Sequence, residues 1–415
     1  MGATLPKVRK GADLEAFGLP LDYPYLLGAY LAVNAVRGTA ILVDGPDCAL
    51  GKAEHVLLHD RCSDLLDCAG ASRVECTWTD ARNAVCSREE AVSRCLLSLS
   101  RREDVGAVLL CALPLASVTG ADYAGMLRRL SPQAGKPLLL VPPRSLQAGY
   151  LEGYDAVLAA LAAGVDFRGK RGGFRDVAVV APFMDRNEED RRADVRELER
   201  MLRGVGLDPL VWPERVPDSG GAGAVLSMPY GRAAARVLSE RLGVPRVDAG
   251  LPVGLAGTVR WLQGLSRSFG LREEARRFIE RESDRASVGL ERAGRFLRGK
   301  RVFAAADPHL LDALIPALRE FGLQVRGSAT VGPGRKAPRR LSRPTSGRLA
   351  AALGRGLDLV IGNSDVCRLA ERRCPTLELG FPSRRWHALS PSPLLGFEGC
   401  LSLAGRIAGA LLRTR

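Results

Sequence analysis

The chain has 415 residues, 46% hydrophobic and 26% charged, with a formal net charge of +14. That length exceeds one ordinary hydrophobic core, so two or three domains are expected. No run approaches the roughly 18 uncharged apolar residues of a membrane span, and the N-terminal MGATLPKVRKGADLEAFG lacks the apolar stretch of a secretory signal. A cytosolic, cytoplasmic protein is therefore expected.

In chain order, apolar runs predict strands at TAILVDG (39–45), VGAVLLCALP (105–114), KPLLLVPP (136–143) and DVAVVAP (176–182). Three more follow at AGAVLSMP (222–229), RVFAAAD (301–307) and LDLVIGN (357–363). Helical patterns come after them, as in VRELERMLRGVG (195–206), GRAAARVLSERLGVP (231–245) and PHLLDALIPALREFGLQV (308–325). The first two end in glycine, the usual stop chemistry. Continuous apolar runs, rather than alternating ones, predict strands covered on both faces, as in parallel sheets flanked by helices. The rhythm restarts after the basic, glycine-rich GVDFRGKRGGFRD (164–176) and again after the arginine-laced helical region 271–298. The predicted fold class is α/β, with three Rossmann-like domains over 1–172, 173–298 and 299–415. In such sheets ligands sit beyond the carboxyl ends of strands. The turns of interest are accordingly 44–52, 111–122, 182–186, 228–231, 306–309 and 363–366.

Charge adds little specificity. Most arginines are interleaved with acids, as in RNEEDRRADVRELERMLR, which marks solvated helix faces carrying i,i+4 pairs. The acid-free GRKAPRRLSRPTSGR (334–348) is rich in Pro, Gly and Ser and reads as a loop. It suits docking of an acidic protein better than nucleic acid. Ten cysteines in a cytosolic chain are not expected to form structural disulfides. Without a CxxC pair or a zinc-finger spacing, most of them read as small buried hydrophobes.

The turn after the first strand, DGPDCALGK (44–52), nearly spells a phosphate loop. Five residues separate Gly45 from Gly51 where four are required, and Ala53 stands where a magnesium-binding hydroxyl belongs. What remains is Cys48, displayed between a strand and a helix, with Asp47 beside it and Asp44 nearby. Helix N-termini favour thiolates, the form that binds iron. Such a thiolate is either a nucleophile or one corner of a cluster completed by another subunit. His55 and His59 are four apart on the following helix, a spacing that can bind metal, but with no carboxylate partner they read as surface or interface residues. Cys62 and Cys68 read as packing.

Four segments carry a family resemblance. GAYLAVNAVRGTAILVDGPDCALGKAEHVLLHD (28–60) resembles the first domain of the nitrogenase component 1 superfamily, where a Gly-Ala helix, a strand and a Gly-x-x-Cys turn follow one another. VLLCALPLASVTGADY (108–123) is similar to its strand closing on Gly-x-Asp. RLGVPRVDAGLPVGLAGTVRWLQGLS (241–266) is similar to a segment of its β-type subunits. The closing run LDLVIGNSDVCRLAERRCPTLELGFPSRRWHALSPSPLLGFEGC (357–400) matches a Gly-Asn-Ser, "GFP" and Gly-aromatic-x-Gly series.

The resemblance implies an α/β heterodimer or a dimer of heterodimers: an oxidoreductase passing low-potential electrons through an intersubunit iron–sulfur cluster to a substrate or a nascent cofactor. It implies a homologous α-type partner and a separate ATP-hydrolysing iron–sulfur reductase, whose docking a basic surface would assist. Of the three cysteines of catalytic nitrogenase subunits, the first position falls near Pro24 and the third on Pro114, with Cys111 three residues away. Only Cys48 holds its place. That pattern resembles the β-type subunits of the cofactor scaffold and of protochlorophyllide reductase, which give one ligand to a 4Fe–4S cluster. By this analogy Cys48 is that ligand, Asp47 the fallback, and Cys111 a lesser candidate that reads as core. A further metal cluster or a tetrapyrrole substrate would belong to the complex. His387 lies where the family places groups near its cavity, although a satisfied structural role is the simpler expectation. Trp386 suits core or interface equally. The alternative is a binding or assembly scaffold of the same fold without a cluster.

Overall fold

The computed structural model describes residues 21–66, 72–80, 88–117, 120–164, 172–214, 221–332, 340–354 and 356–413. The described chain forms three all-parallel sheets flanked by helices. The first has the order β2 (Val74–Cys76), β1 (Thr39–Asp44), β3 (Ala107–Ala112), β4 (Leu138–Val141). The second runs β6 (Asp208–Trp212), β5 (Asp176–Val180), β7 (Ala224–Ser227), β8 (Arg246–Asp248). The third runs β11 (Arg340–Ser342), β10 (Gln324–Thr330), β9 (Arg301–Ala306), β12 (Leu359–Gly362), β13 (Thr376–Glu378). The three-sheet α/β architecture agrees with the sequence-based expectation. The short strands β2, β6, β8, β11 and β13, and also β10, carry too little pattern to stand out in the sequence.

All six residues of β1 and of β3 are buried, the two-sided covering that their unbroken apolar runs require. The second sheet shows how the layers join. Val177 and Val179 face a core shared with third-sheet residues such as Val302 and Leu359. Ala178 and Val180 face a core shared with Ile41, Val43 and Leu109 of the first sheet. Strand alternation thus makes the middle sheet a septum between two cores.

The basic stretch expected as a loop departs from that expectation in its described part. Arg340–Ser342 pairs with β10, and Ser346–Ala352 is a helix capped by the Thr345 hydroxyl. Residues 333–339, like Cys68 and Cys86, lie outside the described residues.

In each sheet the chain starts centrally, visits one edge and returns to the other side, so the order reverses between β1 and β3, between β5 and β7, and between β9 and β12. At these reversals the loops diverge and leave a crevice, where open α/β sheets bind ligands.

Candidate functional site

The first reversal is occupied by Cys48. Beneath it lies Asp44, 1% exposed. Its carboxylate accepts hydrogen bonds from Thr77 Oγ1 at 2.6 Å, Tyr123 OH at 2.7 Å and Arg88 Nη2 at 2.9 Å. Asp44 thereby ties the end of β1 to the residue after β2 and to the starts of the helices Glu89–Arg101 and Tyr123–Ala134. Gly45 is required here, because a Cβ would fall 2.6 Å from the Leu113 side chain. Cys76 is spent locally: its thiol donates to the carbonyls of Gly45 at 3.1 Å and Pro46 at 3.3 Å, and burial pushes its pKa up. Cys48 opens the helix Cys48–His59 and is exposed, as is Asp47. The Lys52 ammonium, one turn on, lies 3.5 Å from the Cys48 sulfur. Trp78, 61% exposed, and Leu115, 41% exposed, follow β2 and β3 and put apolar surface on either side of the turn.

The remaining sequence candidates are placed differently. Cys111 is fully buried in β3 within the apolar core, and burial pushes its thiol up to about 12. Its place in the core sets it apart from the exposed turn, as its apolar strand context implies. Cys62, expected as packing, is exposed. His55 is exposed, as expected, but His59 is not: it is 1% exposed and joins three parts of the chain. Its Nδ1 accepts from the Ser383 N–H at 2.9 Å, so Nε2 carries the proton and donates to Asp185 at 2.9 Å. A helical repeat shows which face a histidine occupies but not what another layer brings against it. The His387 ring is engaged within the chain, its Nδ1 2.7 Å from Glu188 Oε1, while Glu188 also accepts from the Arg61 and Ala388 N–H groups. Trp386 is flanked by two guanidinium groups, with Arg406 3.8 Å and Arg186 5.1 Å from its ring centroid.

His59 belongs to a buried ionic chain. Asp185 pairs with Arg191 at 2.8 Å, and Arg191 with Asp194 at 3.2 Å. Asp194 accepts from the Leu394 and Leu395 N–H groups. Burial alone would raise the Asp185 carboxyl, but Arg191 and the His59 hydrogen bond outweigh it and hold the group well below the usual range.

The second and third reversals converge on a cleft of about 580 Å³, whose lining includes Tyr150, Glu152, Tyr230 and His309. An adjoining chamber of about 470 Å³ shares Pro229, Arg232, His309 and Asp312 with it. Sequence reasoning selected the turns 228–231 and 306–309 but not His309 itself. Their position at strand ends was the available signal.

The family model described as nitrogenase component 1 type oxidoreductase matches residues 25–412. The chain belongs to the nitrogenase component 1 family. It is 28% identical over 338 residues to the light-independent protochlorophyllide reductase subunit N of Halorhodospira halophila, covering 76% of each chain. It is 22% identical over 263 residues to the nitrogenase molybdenum-iron protein beta chain of Clostridium pasteurianum, covering 53% of this chain and 57% of that one. The fold matches that of nitrogenase Cp1 at pH 6.5 with a TM-score of 0.80 and 16% identity, over 100% of this chain and 95% of the other. By name, both relatives are subunits, one the subunit N of a protochlorophyllide reductase and the other the beta chain of a nitrogenase molybdenum-iron protein.

Among the described residues no three His, Cys, Asp or Glu side chains gather as a metal site. The donor set at the turn fits one corner of an iron–sulfur cluster: an exposed thiol, an adjacent carboxylate and a nearby ammonium. No described helix is long and apolar enough to cross a membrane.

Proposed function

We propose that this chain is the β-type subunit of a nitrogenase-like reductase complex, with three domains bounded near residues 172 and 299. Cys48 gives one ligand to a 4Fe–4S cluster whose other ligands come from an α-type partner. A separate ATP-hydrolysing iron–sulfur reductase delivers the electrons in the cytoplasm. The observation that carries this reading is the exposed thiol at the first sheet's reversal, set between Trp78 and Leu115 on surface suited to a partner chain. Asp47, exposed beside it, is the fallback ligand.

When bound, such a cluster supplies a one-electron relay at low potential. The chain's own contribution is positional. The hydrogen bonds to Asp44 hold the strand ends rigid, and Gly45 lets the turn close against Leu113. Lys52 places a positive charge beside the sulfur, where it would temper the charge of a thiolate-ligated cluster.

Anaerobic purification of the chain with its α-type partner, followed by iron counting, tests the proposal. Cys48→Ala should remove most of the interface iron, while Cys111→Ala should leave it in place. Iron unchanged by Cys48→Ala would end the ligand assignment and leave a cluster-free scaffold.

A further inference from the structure

We infer that a surface trough between the helices Leu255–Phe269 and Arg272–Leu297 binds a small phosphate monoester with an apolar body. The trough is separate from the strand-end cleft and from the Cys48 turn, and it does not depend on the cluster.

Its place in the fold sets it apart. Phe174 and Arg175 lead into β5. The Phe174 ring lies against that of Phe269 with centroids 5.3 Å apart, and Arg175 reaches Glu274 at 3.8 Å. The helical hairpin therefore sits at the amino end of the middle sheet. The cleft and the Cys48 turn, by contrast, follow the carboxyl ends of strands.

The trough encloses about 490 Å³. That is the size of a small-molecule site and far more than a bare anion fills. Ala275 and Ile279, one turn apart on the second helix and both buried, give it an apolar floor.

Charge decides the ligand. Four charged side chains line the trough: Arg267, Arg272, Arg276 and Glu280. Arg276 is spent, pairing with Glu273 at 2.9 Å and with Glu280 at 3.0 Å. Arg267 and Arg272, on either side of the hairpin turn, are exposed and have no hydrogen-bond or ion-pair partner among the described residues. Their neighbours Arg277 and Arg281 pair instead with Glu273 at 3.3 Å and Glu282 at 3.1 Å. Two uncommitted guanidinium groups match a dianion, and their planar forks suit phosphate oxygens. A monoanion would leave one of them unmatched. Gln263, at the far end, has a side-chain amide without a partner among the described residues and offers a neutral contact to the ligand's body.

The probes are 1-naphthyl phosphate, 1-naphthyl sulfate and inorganic phosphate, titrated calorimetrically into the full chain. At about pH 7.5 the phosphate ester is mostly dianionic. It should bind saturably at one site. The sulfate ester, a monoanion, should bind roughly threefold to tenfold more weakly. Inorganic phosphate should bind roughly tenfold more weakly, because it leaves the apolar floor uncovered. Arg267→Ala and Arg272→Ala should each weaken the phosphate ester roughly threefold to tenfold. Arg267→Glu combined with Arg272→Glu should abolish saturable binding while the melting transition stays in place. Arg277→Ala, on the same helix but outside the trough, should bind as the wild type does. Equal affinity for the three probes would overturn the inference. So would equal losses at Arg267, Arg272 and Arg277, which would show only a general attraction to a basic chain. Iron at Cys48 is counted separately, so either reading can fail alone.

Discussion

At Asp194, deep in the ionic chain, burial and charge act in opposite directions. Burial pushes its carboxyl up to about 6, against Arg191 and the two backbone N–H groups it accepts from. A carboxyl raised in the folded chain holds its proton more tightly there than in the unfolded chain. It therefore favours folding most below its unfolded value near ~4, and this contribution is lost as pH rises through about 6. Asp185 has the opposite sign: its lowered pKa stabilises above the ordinary carboxylate range and fails only in stronger acid. Asp194→Asn should remove the first contribution. Urea titrations at several pH values between 4 and 7 should then show unfolding free energy changing more positively with pH than in the wild type, by about 1–3 kcal/mol across that range. An unaltered profile would mean that Asp194 does not titrate there. Residue-scale legibility was uneven. Cys48 could be singled out because a strand–turn–helix pattern is local. His59 was misplaced because its burial depends on a layer 126 residues away, as the His59–Asp185 pair shows.

The helices Tyr25–Ala35 and Tyr150–Gly164 form one wall of the fold through reciprocal glycines. A Cβ on Gly28 would fall 1.7 Å from the Tyr150 carbonyl oxygen, and one on Gly153 would fall 2.0 Å from that of Tyr25. The backbones touch, so no side chain fits. Because Tyr150 and Glu152 line the cleft, this contact also sets its width. Gly153→Ala should destabilise by about 2–3 kcal/mol, the usual cost of overpacking. Gly51 is the counter-case. It lies in the helix Cys48–His59, where a Cβ meets nothing within 4 Å, so Gly51→Ala should stabilise by about 0.5–1 kcal/mol. Thermal melts of the two variants should move in opposite directions, and parallel shifts would contradict the packing argument. Both glycines look alike in the sequence, since close approach is a property of two distant segments. The long strands and helices were legible because their own periodicity encodes them.

Across the whole molecule, the buried chain His59–Asp185–Arg191–Asp194 links the layers. His59 follows the first sheet's opening strand, Asp185 and Arg191 follow β5, and Ser383 and Leu394 follow β13. Coupling of this kind should make the three sheets unfold in a single calorimetric transition. Arg191→Leu leaves Asp185 buried without its main counter-charge, and should cost about 3–5 kcal/mol. It should also broaden or split the transition as the sheets uncouple. A variant that melts as one sharp, unshifted peak would show that the apolar cores alone join the layers.

The sequence by itself determined the α/β class, the parallel sheets and the turn that displays Cys48, because apolar periodicity and turn chemistry act over a few neighbouring residues. The tertiary structure alone decided that His59 is a buried tie, that Cys62 lies at the surface, and that His309 lines a cleft. Burial and pairing arise where segments hundreds of residues apart meet, and no local pattern records which segment will cover which.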